Sequence, residues 1–334
     1  MGGRGGLGRI RRERGHRPAA ARRRTAGRQA AKISSSTPDE MERKCIFFVQ
    51  LSMSNYAAID IGGTKMLMYA EYEGKVYEKR ILTGASATPS SITQAAHEYL
   101  DSLPFVPKHV GVAVPGYVDN GVLVYASDIR NIEGISEKEF STDRYQCHFI
   151  NDCKAGAYYE ASFYPKEVSV AVIMVGTGIG MGMRSNGTFI MGAKGWSGEP
   201  GFIPFFTGKG ESGIETGDNF LTGISMLRRM GCDAETFIRR INEKDEKALA
   251  VLNEGALYCG LTLATIINLL NPEVIILGGS TVTYPGYKAR ALEVAKKYSV
   301  DYNWSCVRFE EPNNLKYMVI LGCLEFAKEC DKSN

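Results

Sequence analysis

Tyr56-Ala57-Ala58-Ile59-Asp60-Ile61-Gly62-Gly63-Thr64-Lys65 and, later in the chain, Val172-Ile173-Met174-Val175-Gly176-Thr177-Gly178-Ile179-Gly180 are two versions of one pattern. Each is an apolar run that enters a turn rich in glycine and threonine and leaves it as a second apolar run. A dinucleotide-binding loop would lead into a helix at that point. Here Met181-Gly182-Met183 continues as a strand, so both turns read as hairpins. Two such units, each leading a β-rich half, predict a duplicated domain whose turns face each other across a cleft.

Outward from the first unit, strands are expected at Tyr56–Ile61, Lys65–Tyr72, Val76–Leu82, His109–Val114 and His148–Ile150, with helices at Ser91–Leu103 and Lys154–Phe163. Outward from the second, strands are expected at Val168–Val175, Gly180–Arg184, Thr188–Met191 and Val274–Leu277. Helices are expected there at Asn219–Arg229, Ala234–Asn242, Glu246–Leu270, Tyr287–Tyr298 and Lys316–Glu329. Strands alternating with helices predict an α/β fold with helices on the sheet faces.

The bulk properties limit the function. The chain has 334 residues, 44% hydrophobic and 23% charged, with a net charge of +3. That is globular composition with room for two domains. The positive charge is concentrated in residues 1–52, which hold 13 Lys/Arg against 4 Asp/Glu. The rest is mildly acidic, so the body has no bias toward nucleic acid or an anionic membrane. No apolar run reaches the roughly 20 residues of a spanning helix. The eight cysteines contain no C-x-x-C pair and predict free, mostly buried thiols in a reducing, cytoplasmic compartment. Residues 1–52 are rich in Gly, Ala, Arg and Ser, and are expected to be disordered. A translated leader ahead of Met53, an organelle transit peptide, a basic arm and an inert tail all stay open for them.

The chemistry gathers at glycine turns and one acidic pair. Asp60 ends a buried strand and is followed by Gly62-Gly63-Thr64-Lys65, whose amides and side chains offer donors to phosphate oxygens. Asp60 cannot touch phosphate without repulsion, so Mg²⁺ or its water would lie between. An ordinary hairpin turn accounts for the same residues. No Walker A loop occurs. Gly176-Thr177-Gly178 is the second phosphate-type turn, and Gly278-Gly279 at a strand end lets a flat ring such as adenine lie against backbone. Asn151-Asp152 precedes a helix. Asp152 reads either as that helix's cap or as a carboxylate that accepts a hydroxyl proton in phosphoryl transfer.

In this order the motifs resemble the ROK family of sugar kinases and repressors, within the actin, hexokinase and heat-shock-70 ATPase superfamily. The likeness covers residues 55–330, and its strongest stretch is GTGIGMGMRSNGTFIMGAKGWSGEPGF at 176–202. Val114-Pro115-Gly116 with Asp119, Asn131-Ile132-Glu133-Gly134 and Asn151-Asp152 also match. The resemblance implies two ribonuclease H-like domains around an active-site cleft. The first is 53–165, completed by a C-terminal helix at 316–330, and the second is 166–315. It implies ATP and Mg²⁺ as cofactors and a hexose or hexose derivative as acceptor, while the charge balance of the body gives no expectation of a nucleic acid or membrane partner. A homodimer stays open.

By the same resemblance Asp152 is the base. Asn131, Asn151, Glu199, Glu215 and Gly116 line the sugar, while Gly62, Gly63, Thr64, Lys65, Gly176, Thr177 and Gly178 bind phosphates. Asp60 stands near Mg²⁺, and Gly278 and Gly279 face the adenosine.

The chain departs from the family where Phe202 replaces a histidine and where the cysteine-rich zinc loop gives way to Thr207–Thr216, which has no cysteine. No zinc is expected, and the register of Glu215 is open by one residue. A hydrophobic cluster of Phe202, Ile203, Phe205, Phe206 and Ile214 is expected to hold this loop instead. Two other functions remain: a catalytically silent sugar-binding regulator, and a sugar-responsive repressor. The second would need amphipathic helices that residues 1–52 do not show.

Overall fold

The computed structural model describes residues 55–84, 86–126, 129–208 and 212–333. The expectations for residues 1–52 lie outside them. In chain order the first half comprises β1 (Tyr56–Ile61), β2 (Lys65–Tyr72), β3 (Lys75–Leu82), α1 (Pro89–Asp101), β4 (His109–Val114), β5 (Gly116–Asp119), β6 (Val122–Ala126), α2 (Glu137–Phe140), β7 (Gln146–Asn151) and α3 (Asp152–Ala161). The second half opens with β8 (Val170–Val175), β9 (Ile179–Ser185), β10 (Thr188–Phe189), β11 (Pro204–Phe206) and β12 (Ile214–Thr216). Helices α4 (Asp218–Leu221), α5 (Gly223–Met230), α6 (Ala234–Asn242) and α7 (Glu246–Leu270) follow. The chain ends with β13 (Val274–Gly278), α8 (Tyr287–Tyr298), α9 (Asp301–Cys306), β14 (Arg308–Glu310) and α10 (Met318–Ser333).

Strands β1 and β4 are apolar on both faces and buried along most or all of their length, as befits central strands covered on two sides. β1 pairs antiparallel with β2 and parallel with β4, which in turn pairs parallel with β7. The first sheet runs β3-β2-β1-β4-β7 and the second β10-β9-β8-β13-β14. Position by position the two orders are the same: an antiparallel meander of three strands, then two parallel strands. The duplication read from the two hairpin patterns is therefore present in the sheet topology. The fold is the mixed α/β architecture expected.

Helices α3 and α10 lie between the sheets. Ala155 joins Ile320, Cys323 and Leu324 against Ala58, Leu67, Ala113 and Ile150 of the first sheet. Ala157, Tyr159 and Ala161 join Met318 against Val170, Val172, Val274 and Ile276 of the second. Covered on most sides, α3 has no polar stripe, and even Glu160 is fully buried, accepting hydrogen bonds from the backbone and side-chain amides of Asn313 at 2.9 and 2.7 Å. Glycines make the contact possible. A Cβ on Gly322 would lie 1.7 Å from the Ala155 carbonyl oxygen, and one on Gly111 would lie 2.1 Å from that of Cys323. At its far end α10 is tied down by Asp331, which accepts from the Tyr56 hydroxyl at 2.9 Å and pairs with Lys108.

Several local expectations change. The helix expected at Asn219–Arg229 is broken into α4 and α5 by Thr222, whose side chain caps α5. The strand after Thr188 ends at Phe189. Helix α7 is long and apolar enough to cross a membrane by length and composition, contrary to the reading above. In this protein 67% of its apolar window is buried, packed under β8 and β13 in the largest core. The seven described cysteines are free; Cys147, Cys259 and Cys323 are buried, whereas Cys306 is exposed.

The hydrophobic cluster expected of the 202–216 segment does not form. β11 and β12 make a two-stranded hairpin in which Phe206 pairs with Ile214. Phe202, Phe206 and Ile214 are 66%, 82% and 52% exposed. Phe205 turns inward, to Tyr258 at 5.2 Å between ring centroids, and Ile203, just before β11, is half-buried. Alternation along so short a strand gives one inward side chain, so backbone pairing and a single anchor hold the loop.

Candidate active site

The parallel strands β1, β4 and β7 end at one edge, and that edge carries Asp60 and Asn151-Asp152. Asn151, not Asp152, is the cap of α3: its Oδ1 accepts from the amides of Cys153 at 3.0 Å and Lys154 at 3.3 Å. Asp152 is the first helical residue, with Oδ1 accepting from the Cys153 amide at 2.7 Å. The capping role predicted for Asp152 belongs to its neighbour.

Asp60 lies deep but keeps some solvent contact. Burial, then the charge of Asp152, lift its carboxyl to about 7, with Lys65 pulling the other way. The Gly62–Lys65 turn closes through the Gly62 amide donating to the Lys65 carbonyl at 2.9 Å. Thr83 fastens the same turn: its hydroxyl donates to the Gly62 carbonyl at 2.7 Å and its amide to that of Thr64 at 3.0 Å. A Cβ on Gly84 would approach the Gly63 carbonyl at 3.6 Å. Asn131 reaches this region, donating to the carbonyls of Ala87 and, at 3.3 Å, Gly84. The first glycine turn and Asn131 are thus parts of one loop system.

The second turn is built the same way. The Gly176 amide donates to the Gly178 carbonyl at 2.8 Å, leaving Thr177 at the tip. The Gly176 carbonyl accepts from the Gly223 amide at 2.9 Å and the Thr281 hydroxyl at 3.0 Å. Thr281 follows Gly278 and Gly279, so the structure brings that pair beside the Gly176–Gly178 turn. Gly279 has φ +103°, and a Cβ there would lie 2.3 Å from the Val175 carbonyl oxygen; only glycine fits.

Glu199 links the halves. Burial raises its carboxyl, and the charge of Asp152 adds to that, while Lys154 and the Tyr117 hydroxyl favour its ionised form. Gly198, at φ +88°, accepts at its carbonyl from the Met181 amide at 3.0 Å and has no room for a Cβ against Met181. Gly116 likewise has no room, since a Cβ would lie 1.8 Å from the Tyr125 carbonyl oxygen. Glu215 sits on β12 and accepts from the Asn219 side chain at 3.3 Å. It lines a surface cavity with Asp218, Asn219, Arg228 and Arg229.

Three residues here escaped the sequence reading. Lys154 is 4% exposed, two residues after Asp152, and is pushed down by burial while Glu199, Cys153 and Asp152 favour its charged form. A lysine within the otherwise small and aromatic run of α3 was the available signal. Asp218 is raised by burial and accepts from the Ile179 amide, which ties α4 to the strand that leaves the Gly176–Gly178 turn. Tyr117 follows Gly116 directly and stacks on Trp196; nothing in its spacing marks it. Among the described residues no group of three or more His, Cys, Asp or Glu is gathered as metal ligands. The arrangement offers a carboxylate pair at one edge, two glycine turns rich in amide donors, and a buried lysine between acids.

The chain is 28% identical over 248 residues to N-acetylmannosamine kinase of Shigella boydii serotype 18, a match covering 70% of this chain and 85% of that protein. Its fold is that of a ROK hexokinase from Thermus thermophilus, with TM-score 0.72 and 21% identity, covering 84% of this chain and 99% of the other. A ROK family glucokinase from Streptomyces griseus, solved with glucose and AMPPNP, superposes with TM-score 0.64 at 19% identity, covering 82% and 99%. The ROK family profile matches residues 56–329, a span that takes in both sheets and both glycine turns, and the chain belongs to the ROK family.

Proposed function

We propose that this protein is a carbohydrate kinase that transfers the γ-phosphate of ATP to a hydroxyl of a hexose or hexose derivative, with N-acetylmannosamine the first acceptor to test. The observation that carries the reading is Asp152, the first residue of α3 just past β7, beside Asp60 and electrostatically coupled to Glu199. Asp152 accepts the proton of the attacking hydroxyl as the new O–P bond forms and the bond to the β-phosphate oxygen breaks, leaving ADP. Asn151, with its Oδ1 engaged in the cap, offers its NH₂ to a neighbouring hydroxyl. Asn131, Glu199, Glu215 and Gly116 complete the proposed sugar side. A site built to hydrogen-bond hydroxyls rejects analogues that lack them, because its buried polar groups are left unpaired.

The amides and side chains of Gly62, Gly63, Thr64, Lys65, Gly176, Thr177 and Gly178 are proposed to bind the phosphates, with Gly278 and Gly279 under the adenosine. Asp60 fits a divalent cation. A deep carboxyl raised to about 7 by burial and by a neighbouring acid is stabilised when positive charge arrives. Mg²⁺ held there through water would neutralise charge on the phosphate oxygens. A cytoplasmic location, where ATP is plentiful, fits this reading.

The test is an ATP-dependent assay over a panel of N-acetylmannosamine, N-acetylglucosamine, glucose, mannose, fructose and allose. Turnover on at least one, abolished in Asp152→Asn, is expected. Binding of a sugar without any turnover would leave the regulator reading in its place.

A further inference from the structure

The segment that carries Glu199 has little regular structure of its own. Between β10 and Glu199 it contains Gly192, Gly195 and Gly198, all with left-handed φ of +76°, +77° and +88°. Backbone of this kind loses much conformational entropy on ordering, so something outside the segment must hold it. Three side-chain contacts do, and all land on β5. The Trp196 ring stacks on Tyr117 with centroids 5.3 Å apart and planes 23° apart. The Trp196 indole N–H donates to the Val118 carbonyl at 2.7 Å. Lys194 pairs with Asp119 at 2.8 Å and lies 5.7 Å from the Trp196 ring centroid. On its other side Tyr117 packs on Tyr125, 5.5 Å away. A register irregularity between Tyr117 and Val118 in the β5–β6 pairing is the kind of bulge that re-aims side chains.

We propose that this aromatic clasp is a positioning device for the sugar site: Trp196 seats the glycine-rich segment on β5, and Tyr117 orients the Glu199 carboxylate through its hydroxyl. The inference rests on the sugar-kinase reading above and deepens it. The clasp joins the β5–β6 hairpin of the first half to a loop of the second. It therefore fixes Glu199 relative to Asp152 on α3, the distance on which hydroxyl recognition depends. A carboxylate that must meet sugar hydroxyls in a defined place gains from a rigid support outside the pocket. The contacts described for Tyr117 and Trp196 lie on β5, β6 and the Glu199 segment, not on either glycine turn, so sugar affinity is expected to respond to them more than nucleotide affinity.

The experiment is steady-state kinetics of Tyr117→Phe, Trp196→Phe and Trp196→Ala on the sugar that the wild type phosphorylates, with KM measured separately for sugar and ATP. Trp196→Ala is expected to raise the sugar KM about tenfold or more, with the ATP KM within about twofold of wild type. Trp196→Phe, which keeps a ring for stacking, restores most of the loss. Tyr117→Phe keeps the stack and loses only the hydroxyl, so it folds as wild type and isolates the Glu199 contact through a smaller rise in sugar KM. An unchanged sugar KM in Tyr117→Phe and Trp196→Ala overturns the inference and leaves the kinase reading standing. So does a parallel rise in both KM values, which marks general loosening. A wild-type protein that phosphorylates no sugar sinks the kinase reading, and the inference with it.

Discussion

The Asp60 carboxyl, deep at the end of β1, is lifted to about 7 by burial and then by the charge of Asp152. Such an acid binds a proton in the folded chain at pH values where the unfolded chain, with its carboxyl near 3.8, does not. Its contribution to stability is therefore complete below about pH 4 and is lost as the pH rises through about 7. Asp60→Asn removes the effect. In metal-free protein, urea unfolding of the variant is expected to be less pH-sensitive than wild type between pH 5 and pH 8. The difference at pH 8 should be on the order of a few kcal/mol in the variant's favour. The same variant should lose most of its activity. Unfolding curves for the two proteins that shift in parallel with pH would falsify the coupling.

Asn151 and Asp152 are adjacent, yet Asn151 caps α3 while Asp152 is the residue proposed as the base, so their variants should separate. Asn151→Ala removes the α3 cap and should cost about 1 kcal/mol of stability. Asp152→Ala leaves that cap in place and should change stability by less, while kcat falls on the order of 10²–10⁴-fold, the usual worth of a positioned base. Thermal unfolding together with initial rates distinguishes the two. Near-wild-type turnover in Asp152→Ala removes it from the mechanism.

The hairpin of β11 and β12 replaces the expected cluster with one anchor, and that too can be measured. Phe206→Ser and Ile214→Ser alter exposed side chains and should shift stability by no more than about 0.5 kcal/mol. Phe205→Ala removes the ring packed on Tyr258 and should cost on the order of 2 kcal/mol, below the usual core value because the site is only half-buried. Equal costs at all three positions would show that the hairpin folds onto a partner surface in solution.

How much of this was legible in the sequence depended on the range of the interactions involved. The buried strands β1, β4, β8 and β13 were, because a mainly apolar run bounded by glycine or proline has few other readings. So were the paired glycine turns, whose likeness announced the repeated sheet order. The break at Thr222 was harder to see, since a threonine inside a helical pattern marks a cap only once its hydroxyl is seen to accept from Ser225. The 202–216 cluster failed for a related reason. Five apolar residues close in sequence look like a core, but pairing Phe206 with Ile214 on a two-stranded ribbon turns both outward. Asp218 and Tyr117 join the site through contacts between distant segments, and no local period encodes those. Lys154 left a local trace, a lysine in the small and aromatic run of α3, but Glu199, which favours its charged form, comes from the other half.

The crossing of α10 over α3 yields the last prediction. Gly322 meets the Ala155 carbonyl so closely that a Cβ would lie 1.7 Å from the oxygen and 2.3 Å from the carbon. The obstacle is helix backbone, which cannot swing aside as a side-chain tip can, so Gly322→Ala must push the helices apart. Both are also wedged between sheets, with Met318 among Val170, Val172, Val274 and Ile276 on one side and Cys323 against Gly111 on the other. Separation therefore opens gaps in two cores at once. Close-packed interiors resist this, and a cost of about 3 kcal/mol or more is expected, enough to lower Tm by on the order of 5–10 °C. Lys332→Ala on the same helix removes only an exposed pair with Glu329 at 3.2 Å and should change stability by less than about 0.5 kcal/mol. Because α3 carries Asp152, the fraction of Gly322→Ala that remains folded should also turn over more slowly. A Gly322→Ala protein with wild-type Tm and kcat would mean that the two helices are not in contact at this crossing.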